Sequence, residues 1–308
     1  MITVIAASPS VDVTYAVDAV RIGEIHRPHT TVRVAGGKGL NVARAAHRLG
    51  ADVHAVAMLG GASGRWIADE LARIGVPHDA VAVAAETRTC ISVADSVSHT
   101  MTEVYEAAGP VSVGEWGTFL AAAGHVVAAR PGWLAVSGSM PVAGAPETPW
   151  EHMTEVVKIA RRHDRRIVVD AQGHMLRAAI EAGIDVVKVN AAEAAELVGA
   201  SLGTGPEELA VALAREVAVG AVVTAGVEGA WAVNADGVRR LVPAPQRGQF
   251  PVGSGDCLLA GLVVGLDRGD DITGALSLAT AVAVANALCP GAAEFTDDDL
   301  AALQSSIR

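Results

Sequence analysis

Pro251-Val252-Gly253-Ser254-Gly255-Asp256 runs straight into the apolar stretch Cys257 to Leu266, which reads as a helix. A helix entered through glycines leaves backbone N–H groups facing whatever sits at its mouth, and its dipole favours an anion there. A carboxylate at that positive end, Asp256, makes sense if it takes a proton beside a phosphoryl group in transit. Far upstream lies a second glycine-rich loop, Ala35-Gly36-Gly37-Lys38-Gly39-Leu40-Asn41. Together the two loops point to an enzyme that moves phosphate. The competing reading of Gly253 to Asp256 is an ordinary turn with Asp256 as helix N-cap.

The upstream loop is not a phosphate loop of the GxxxxGK[ST] kind, nor GxGxxG after a first strand, so a dinucleotide-binding fold is not supported. One Lys and one Asn on a glycine-rich backbone suit a polyhydroxylated, anionic ligand. A flexible hairpin exit is the bland alternative. Asp12 follows the first strand at its C-terminal end, where open α/β sheets bind ligands. Arg27, Arg33 and Arg88 are candidates to gather round a substrate phosphate. Asn190 and Glu193 stand three apart at a strand-to-helix junction, where they could hold a hydrated Mg²⁺ or its phosphates, or simply form a capping box.

The rest of the chain frames these residues. From Pro110 onward, helix and strand patterns alternate strictly: strands at Trp133 to Val136, Arg166 to Val169, Asp185 to Val189 and Ala221 to Thr224 follow helices. That rhythm argues a parallel sheet covered on both faces. Two non-helical patches upstream of it, near residues 13–34 and 81–105, read as excursions that pair into a small sheet over the site, a lid. No Pro/Ser linker divides the chain, so a single domain over 1–308 is expected.

Composition agrees. Over 308 residues, 51% are hydrophobic and only 3% aromatic, which suits Val-rich strands under Ala-rich helices. A formal charge of -11 argues against a nucleic-acid partner, because phosphate contacts need an excess of Lys and Arg. Cys90, Cys257 and Cys289 have no metal or disulfide spacing, and the amino-terminal residues have no basic signal region, so a reduced, cytoplasmic setting is expected. Ile272 to Ala293 is the longest uncharged run but carries too many polar residues for a membrane span; it reads as a buried helix.

These motifs, in this order, resemble the PfkB carbohydrate kinase family, whose fold is ribokinase-like: a three-layer α/β sandwich with a mostly parallel central sheet and a small β lid. AGGKGLNVARAAHRLG (Ala35 to Gly50) and PVGSGDCLLAGL (Pro251 to Leu262) are similar to its two signatures. Pro9-Ser10-Val11-Asp12, Ser137-Gly138-Ser139-Met140-Pro141, Lys188-Val189-Asn190-Ala191-Ala192-Glu193 and Thr224-Ala225-Gly226-Val227-Glu228-Gly229 resemble four more segments. The resemblance implies Asp256 as base and Gly253, Ser254 and Gly255 as anion hole. It implies sugar contacts from Asp12, Gly36, Gly37, Asn41 and Ser139, and contacts to an existing substrate phosphate from Lys38, Arg88 and Arg27. It further implies ATP contacts from Lys188, Asn190, Glu193, Thr224, Gly226, Gly229 and Asn286, Mg²⁺ held by Glu193 and Asn190, and a homodimer through the lid strands. Lys38, Arg88 and Gly23-Glu24-Ile25-His26-Arg27 look most like the phosphohexose branch, which acts on fructose 1-phosphate or tagatose 6-phosphate; PVGSGD leans toward the latter. Kinases of unphosphorylated sugars or nucleosides, and a silent sugar-phosphate-binding protein, are the rival readings. Ser8, Val189, Gln172-Gly173-His174 and Cys257 depart from the family pattern without removing a catalytic group.

Overall fold

The computed structural model describes residues 1–308 except 143–148, 202, 244–247 and 307–308, and only the backbone of Pro149 and Ser306. Its strands are β1 (Ile2–Ala6), β2 (Ser10–Val17), β3 (Thr30–Gly36), β4 (Val53–Gly60), β5 (His78–Val83), β6 (Thr89–Asp95), β7 (Thr100–Tyr105), β8 (Trp133–Ser137), β9 (Arg166–Asp170), β10 (Val186–Asn190), β11 (Gly220–Thr224), β12 (Ala230–Asn234) and β13 (Gly237–Leu241). The helices are α1 (Lys38–Arg48), α2 (Gly61–Arg73), α3 (Val113–Ala129), α4 (Pro149–Arg162), α5 (Gly173–Glu181), α6 (Ala191–Val198), α7 (Pro206–Ala214), α8 (Ser254–Asp267), α9 (Ile272–Leu288) and α10 (Asp297–Ser306).

Nine strands form the main sheet in the order β13-β12-β11-β10-β9-β8-β1-β4-β5. It is parallel except where β12 pairs with β11 and β13. Alternate residues of a strand face opposite sides. In β1, Ile2, Val4 and Ala6 therefore pack with α1, α8 and α9, whereas Ile5 packs on the other side with α3, α4 and α5. All eight residues of β4 are buried, as a strand covered on both faces requires. This is the expected α/β three-layer architecture.

Four strands, β3-β2-β6-β7, make the small sheet. Two expectations about the excursions need correction. Val81 to Val83 do not join the lid: they end β5, which pairs in parallel with β4 at the edge of the main sheet and packs Val81 beside Trp116 and Phe119 of α3. Residues 18–29 carry no strand and form an exposed loop between β2 and β3.

A third correction matters for chemistry. Helix α8 begins at Ser254, not Cys257, and its N-cap is Gly253 in the left-handed region at φ 83°. Asp256 is thus not a cap; it sits within the first turn and is buried. A side chain at Gly253 would also strike Ala292, with a Cβ only 2.6 Å from the alanine Cβ. The run read as one helix to Ala293 ends at Leu288. It is buried around much of its circumference, as its apolar composition implies. No helix among the described residues is long and apolar enough to cross a membrane.

Candidate active site

Strands β1, β8, β9, β10 and β11 deliver residues from their C-terminal ends to one cleft of about 490 Å³, roofed by the small sheet. Asp12, Gly37, Lys38, Asn41, Arg88, Ser139, Lys188, Asn190, Glu193, Thr224, Gly253, Gly255 and Asp256 all line it. Residues more than 200 positions apart in the chain are therefore neighbours: the Asn41 Nδ2 donates to Asp256 Oδ2 at 2.9 Å across 215 residues.

Asp256 is the centre of the electrostatics. Burial raises its carboxyl from 3.8 to about 7, and the nearby Asp170 adds to the rise. The Asn41 hydrogen bond and the charges of Lys38 and Lys188 pull the other way. A carboxyl balanced near neutrality is suited to accept a proton at physiological pH. Because burial is the largest cause, the Asn41 bond is what limits the rise. Asn41→Ala is expected to move the acid limb of kcat/KM upward by about one pH unit, the equivalent of a ~1.5 kcal/mol hydrogen bond to a charged group. A pH–rate profile of the variant checks this; an unmoved limb removes Asp256 as the titrating group.

At the lid root, Asp12 accepts from Ser10 Oγ at 2.5 Å and from the Gly37 N–H at 3.1 Å. Burial nonetheless raises its carboxyl above the ordinary value. Gly36 does not line the cleft. It lies behind Asp12, where an added Cβ would fall 2.1 Å from the carboxyl carbon, so only glycine lets that carboxylate reach the Gly37 amide.

Lys38 and Arg88 supply the cations. Lys38 is exposed to the cleft and makes no hydrogen bond or ion pair with the protein among the described residues; its stem lies against Gly138. Among the described residues the Arg88 side chain donates only to two carbonyls, Glu106 O at 3.2 Å and Ser8 O at 3.4 Å. Its buried Nε has no partner. Of the six buried side-chain polar atoms left without a partner among the described residues, four (on Ser8, Asn41, Arg88 and Ser137) belong to this cleft. A fifth, Thr280 Oγ1, belongs to the adjoining groove. Buried polar groups are otherwise almost always satisfied, so this concentration leaves the cleft with polar atoms free to meet a polar ligand.

That groove, about 950 Å³, shares Thr224 and Gly255 with the cleft and is lined by Gly226, Gly229, Ser254, Leu258 and Ala283. It is more apolar than the cleft and reaches the first turn of α8 at Ser254 and Gly255. Asn190 and Glu193 stand at the junction side of the cleft and do form a capping box: the Glu193 N–H donates to Asn190 Oδ1 at 2.9 Å and the Asn190 N–H to Glu193 Oε2 at 3.0 Å. The capping and ligand-holding readings are thus compatible, since both side chains line the cleft.

Some residues fall elsewhere. Arg27 is exposed in the 18–29 loop and does not line the cleft of its own chain. Its loop carries no strand to anchor it to the site. Arg33 lies over the Trp66 ring at 4.5 Å on the outside of the fold. Asn286 is fully buried and touches the α8 loop rather than the groove.

Sequence reasoning missed Asp170. It ends β9, lines the cleft and holds the buried Lys188 Nζ at 2.5 Å. Burial disfavours the Lys188 ammonium, but Asp170, Asp256 and Glu193 outweigh that and raise it above its ordinary value. The rule that selected Asp12, an acid following a buried strand at its C-terminal end, would have found Asp170. Glu103 and Tyr105 of β7 were also missed; they line the cleft from the lid side.

Comparison with known proteins places this geometry. The sequence profile described as pfkB family carbohydrate kinase matches residues 2–299. The ATP-dependent 6-phosphofructokinase isozyme 2 of Mycobacterium tuberculosis is 31% identical over 302 residues, covering 97% of this chain and 87% of that protein. The crystal structure of Escherichia coli phosphofructokinase-2 in complex with fructose-6-phosphate superposes with a TM-score of 0.86 at 25% identity, covering 100% of this chain and 98% of that one. The tetrameric inhibited form of the same E. coli enzyme gives 0.87 at 25% identity, covering 99% and 98%.

Proposed function

This chain belongs to the pfkB family of carbohydrate kinases, and we propose that it transfers a phosphoryl group from ATP to a hydroxyl of a phosphorylated hexose. The observation that carries the proposal is Asp256, balanced near neutrality at the mouth of α8, in a cleft that also presents Arg88 and a Lys38 ammonium without a partner among the described residues. Asp256 removes the hydroxyl proton. The Ser254 N–H is spent on Pro251 O at 3.1 Å, so the amides of Gly253, Gly255 and Asp256 meet the charge that grows on the group in transit, where positioned donors contribute most. Asp12, Asn41 and Ser139 hold sugar hydroxyls, and Lys38 and Arg88 hold the phosphate already on the sugar. The small sheet excludes water during transfer.

Glu193 and Asn190 would hold Mg²⁺. Among the described residues no three carboxylate, His or Cys side chains cluster as a metal cage. Mg²⁺ keeps several waters and uses one or two carboxylates with substrate phosphates, so this sparse donor set fits it. Mg²⁺ held there would supply neutralisation of phosphate charge. Thr224, Gly226 and Gly229 would flank the nucleotide in the adjoining groove, with Lys188 behind its phosphates.

Fructose 6-phosphate is the foremost substrate in this reading, because the M. tuberculosis relative is a 6-phosphofructokinase and the E. coli relative was solved with that sugar. This shifts the weight from the fructose 1-phosphate and tagatose 6-phosphate that the motifs alone favour. ADP release measured across these three sugar phosphates and free fructose tests it. Turnover of free fructose at the rate of its phosphates contradicts the proposal.

We also propose self-association through the small sheet. Ile22 and Ile25 are 102% and 83% exposed in the 18–29 loop, and Val97 and Val104 are 73% and 60% exposed on the β6–β7 hairpin. Such a collection of apolar side chains on one appendage marks an interface. Ile25→Asp is expected to weaken the oligomer about tenfold or more, the scale of losing one buried aliphatic contact. Sedimentation equilibrium reads this directly, and an unchanged dissociation constant removes the loop from the interface.

A further inference from the structure

Arg44 is a buried cation that the chemistry above leaves unused. It stands on α1 at 4% exposure. Its Nη1 donates to two carbonyls from opposite sides of the site: Ala35 at 3.3 Å and Ala292 at 3.0 Å. Ala35 leads directly into the Gly36-Gly37-Lys38 loop. Ala292 packs on the other glycine loop, so closely that a Cβ on Gly253 would lie 2.9 Å from its Cα. Arg44 also pairs with Glu294, which takes a second bond from Arg48 at 3.0 Å.

The segment 292–294 is tied at its far side by Asn286, which is 0% exposed. The Asn286 Nδ2 donates to Val252 O at 2.9 Å and to Ser254 Oγ at 3.1 Å. Its Oδ1 accepts from the Ala293 N–H at 2.7 Å and from Cys257 Sγ at 3.4 Å. All four bonding positions of the amide are used, so the side chain has none left for a nucleotide. Ala293 is held at φ 57°, a left-handed conformation that a non-glycine residue keeps only when its surroundings impose it.

We propose that residues 292–294 form a strap that sets the separation between the sugar-binding loop and the anion-hole loop, with Arg44 gripping it at Ala292 and Glu294 from the sugar-loop side and Asn286 gripping it at Ala293 from the anion-hole side, both as positioning residues. Neither residue touches a reacting atom. Each fixes a loop that does. Phosphoryl transfer depends on bringing an oxygen and a phosphorus within about 3–3.5 Å in line, and a slip of about 1 Å costs on the order of 100-fold. The strap converts that requirement into hydrogen bonds made before either substrate arrives. The proposal rests on the kinase reading above, in which the first loop holds the sugar and the second the phosphoryl group.

The two positioning residues are distinguishable by what water can do in place of the sugar. Arg44→Lys keeps a charge for Glu294, but its nitrogen ends one bond short of Nη1 and gives up the fixed fork that holds both carbonyls. It is expected to lower kcat for the sugar phosphate about 10- to 100-fold. ATP hydrolysis without sugar should stay within about twofold, and both KM values within about threefold. Asn286→Asp replaces the donors that hold Val252 and Ser254, and should lower transfer to sugar and to water together. Glu294→Gln keeps both carbonyl bonds of Arg44. It should retain kcat and lose only thermal stability.

A purely structural role gives the opposite pattern: reduced melting temperature with unchanged kcat per folded molecule in all three. That pattern overturns the strap, as does equal loss of sugar and water transfer in Arg44→Lys. If Arg44→Lys does not fold, Asn286→Asp decides, and wild-type turnover by it refutes the proposal. Wild-type protein is assayed first: its failure on every sugar phosphate defeats the substrate reading, whereas active wild type with active variants defeats the strap alone.

Discussion

Asp256→Asn is expected to cut kcat by about 10³, within the 10²–10⁴ that a positioned general base contributes, and yet to make the protein more stable. The two effects share one cause. Burial at the mouth of α8 raises the carboxyl from 3.8 to about 7, so the folded protein holds its proton more tightly than the unfolded chain does. A raised carboxyl destabilises the fold progressively as pH climbs from about 4 to about 7, and by a constant amount above. That gap corresponds to about 4 kcal/mol. The amide bears no charge, and its oxygen can still accept from Asn41. The variant should therefore gain stability over wild type at pH 8 and lose that advantage near pH 4. Urea midpoints at the two pH values read it. A variant that is less stable at pH 8 shows that the acid is not held by unfavourable burial.

Lys38→Ala and Arg88→Ala are each expected to raise KM for the sugar phosphate by about 10- to 100-fold, the worth of a charge-assisted hydrogen bond of ~1.5–3 kcal/mol. KM for ATP should not move. Neither cation is neutralised by an acid among the described residues: Lys38 has no ion pair, and Arg88 bonds two carbonyls while its buried Nε has no partner. The lysine variant carries a second signature. Lys38 is one of the charges that hold the Asp256 carboxyl down, so its loss should also move the acid limb of the rate profile upward. Arg88 is not among the main influences on that carboxyl, and its variant should leave the limb in place. Equal KM values for wild type and both variants would leave the phosphohexose assignment without a basis.

Much of this site is legible in the residues because its parts lie at strand and helix ends, where chain direction and residue type constrain geometry. The alternation of buried Val4 and Ile5 between two cores is the pattern of a sheet covered on both faces. The glycines before α8 mark its mouth whether the first helical residue is Ser254 or Cys257. What the sequence hides is tertiary pairing. Lys188 reads as a strand residue of an ATP motif, and nothing local reveals that Asp170, 18 residues away, neutralises it. Asn286 resembles a nucleotide contact because it lies in the right helix, but its amide is spent on backbone that only the folded chain brings near. Arg27 carries the right charge on a loop whose path no periodicity fixes. The 81–105 patch divides between two sheets because strand propensity does not choose a partner; Val81 goes to β5 and Thr89 to β6.

The most direct test follows the labelled γ-phosphoryl of ATP to fructose 6-phosphate in a single turnover, for wild type and Asp256→Asn, between pH 5.5 and 8.5 (roughly 1.5 units either side of the expected midpoint). Wild type should slow about tenfold per pH unit below about 7, and the asparagine variant should be slow and indifferent to pH. Transfer by the variant at close to the wild-type rate, or with the same acid limb, would contradict the assignment of that proton to Asp256.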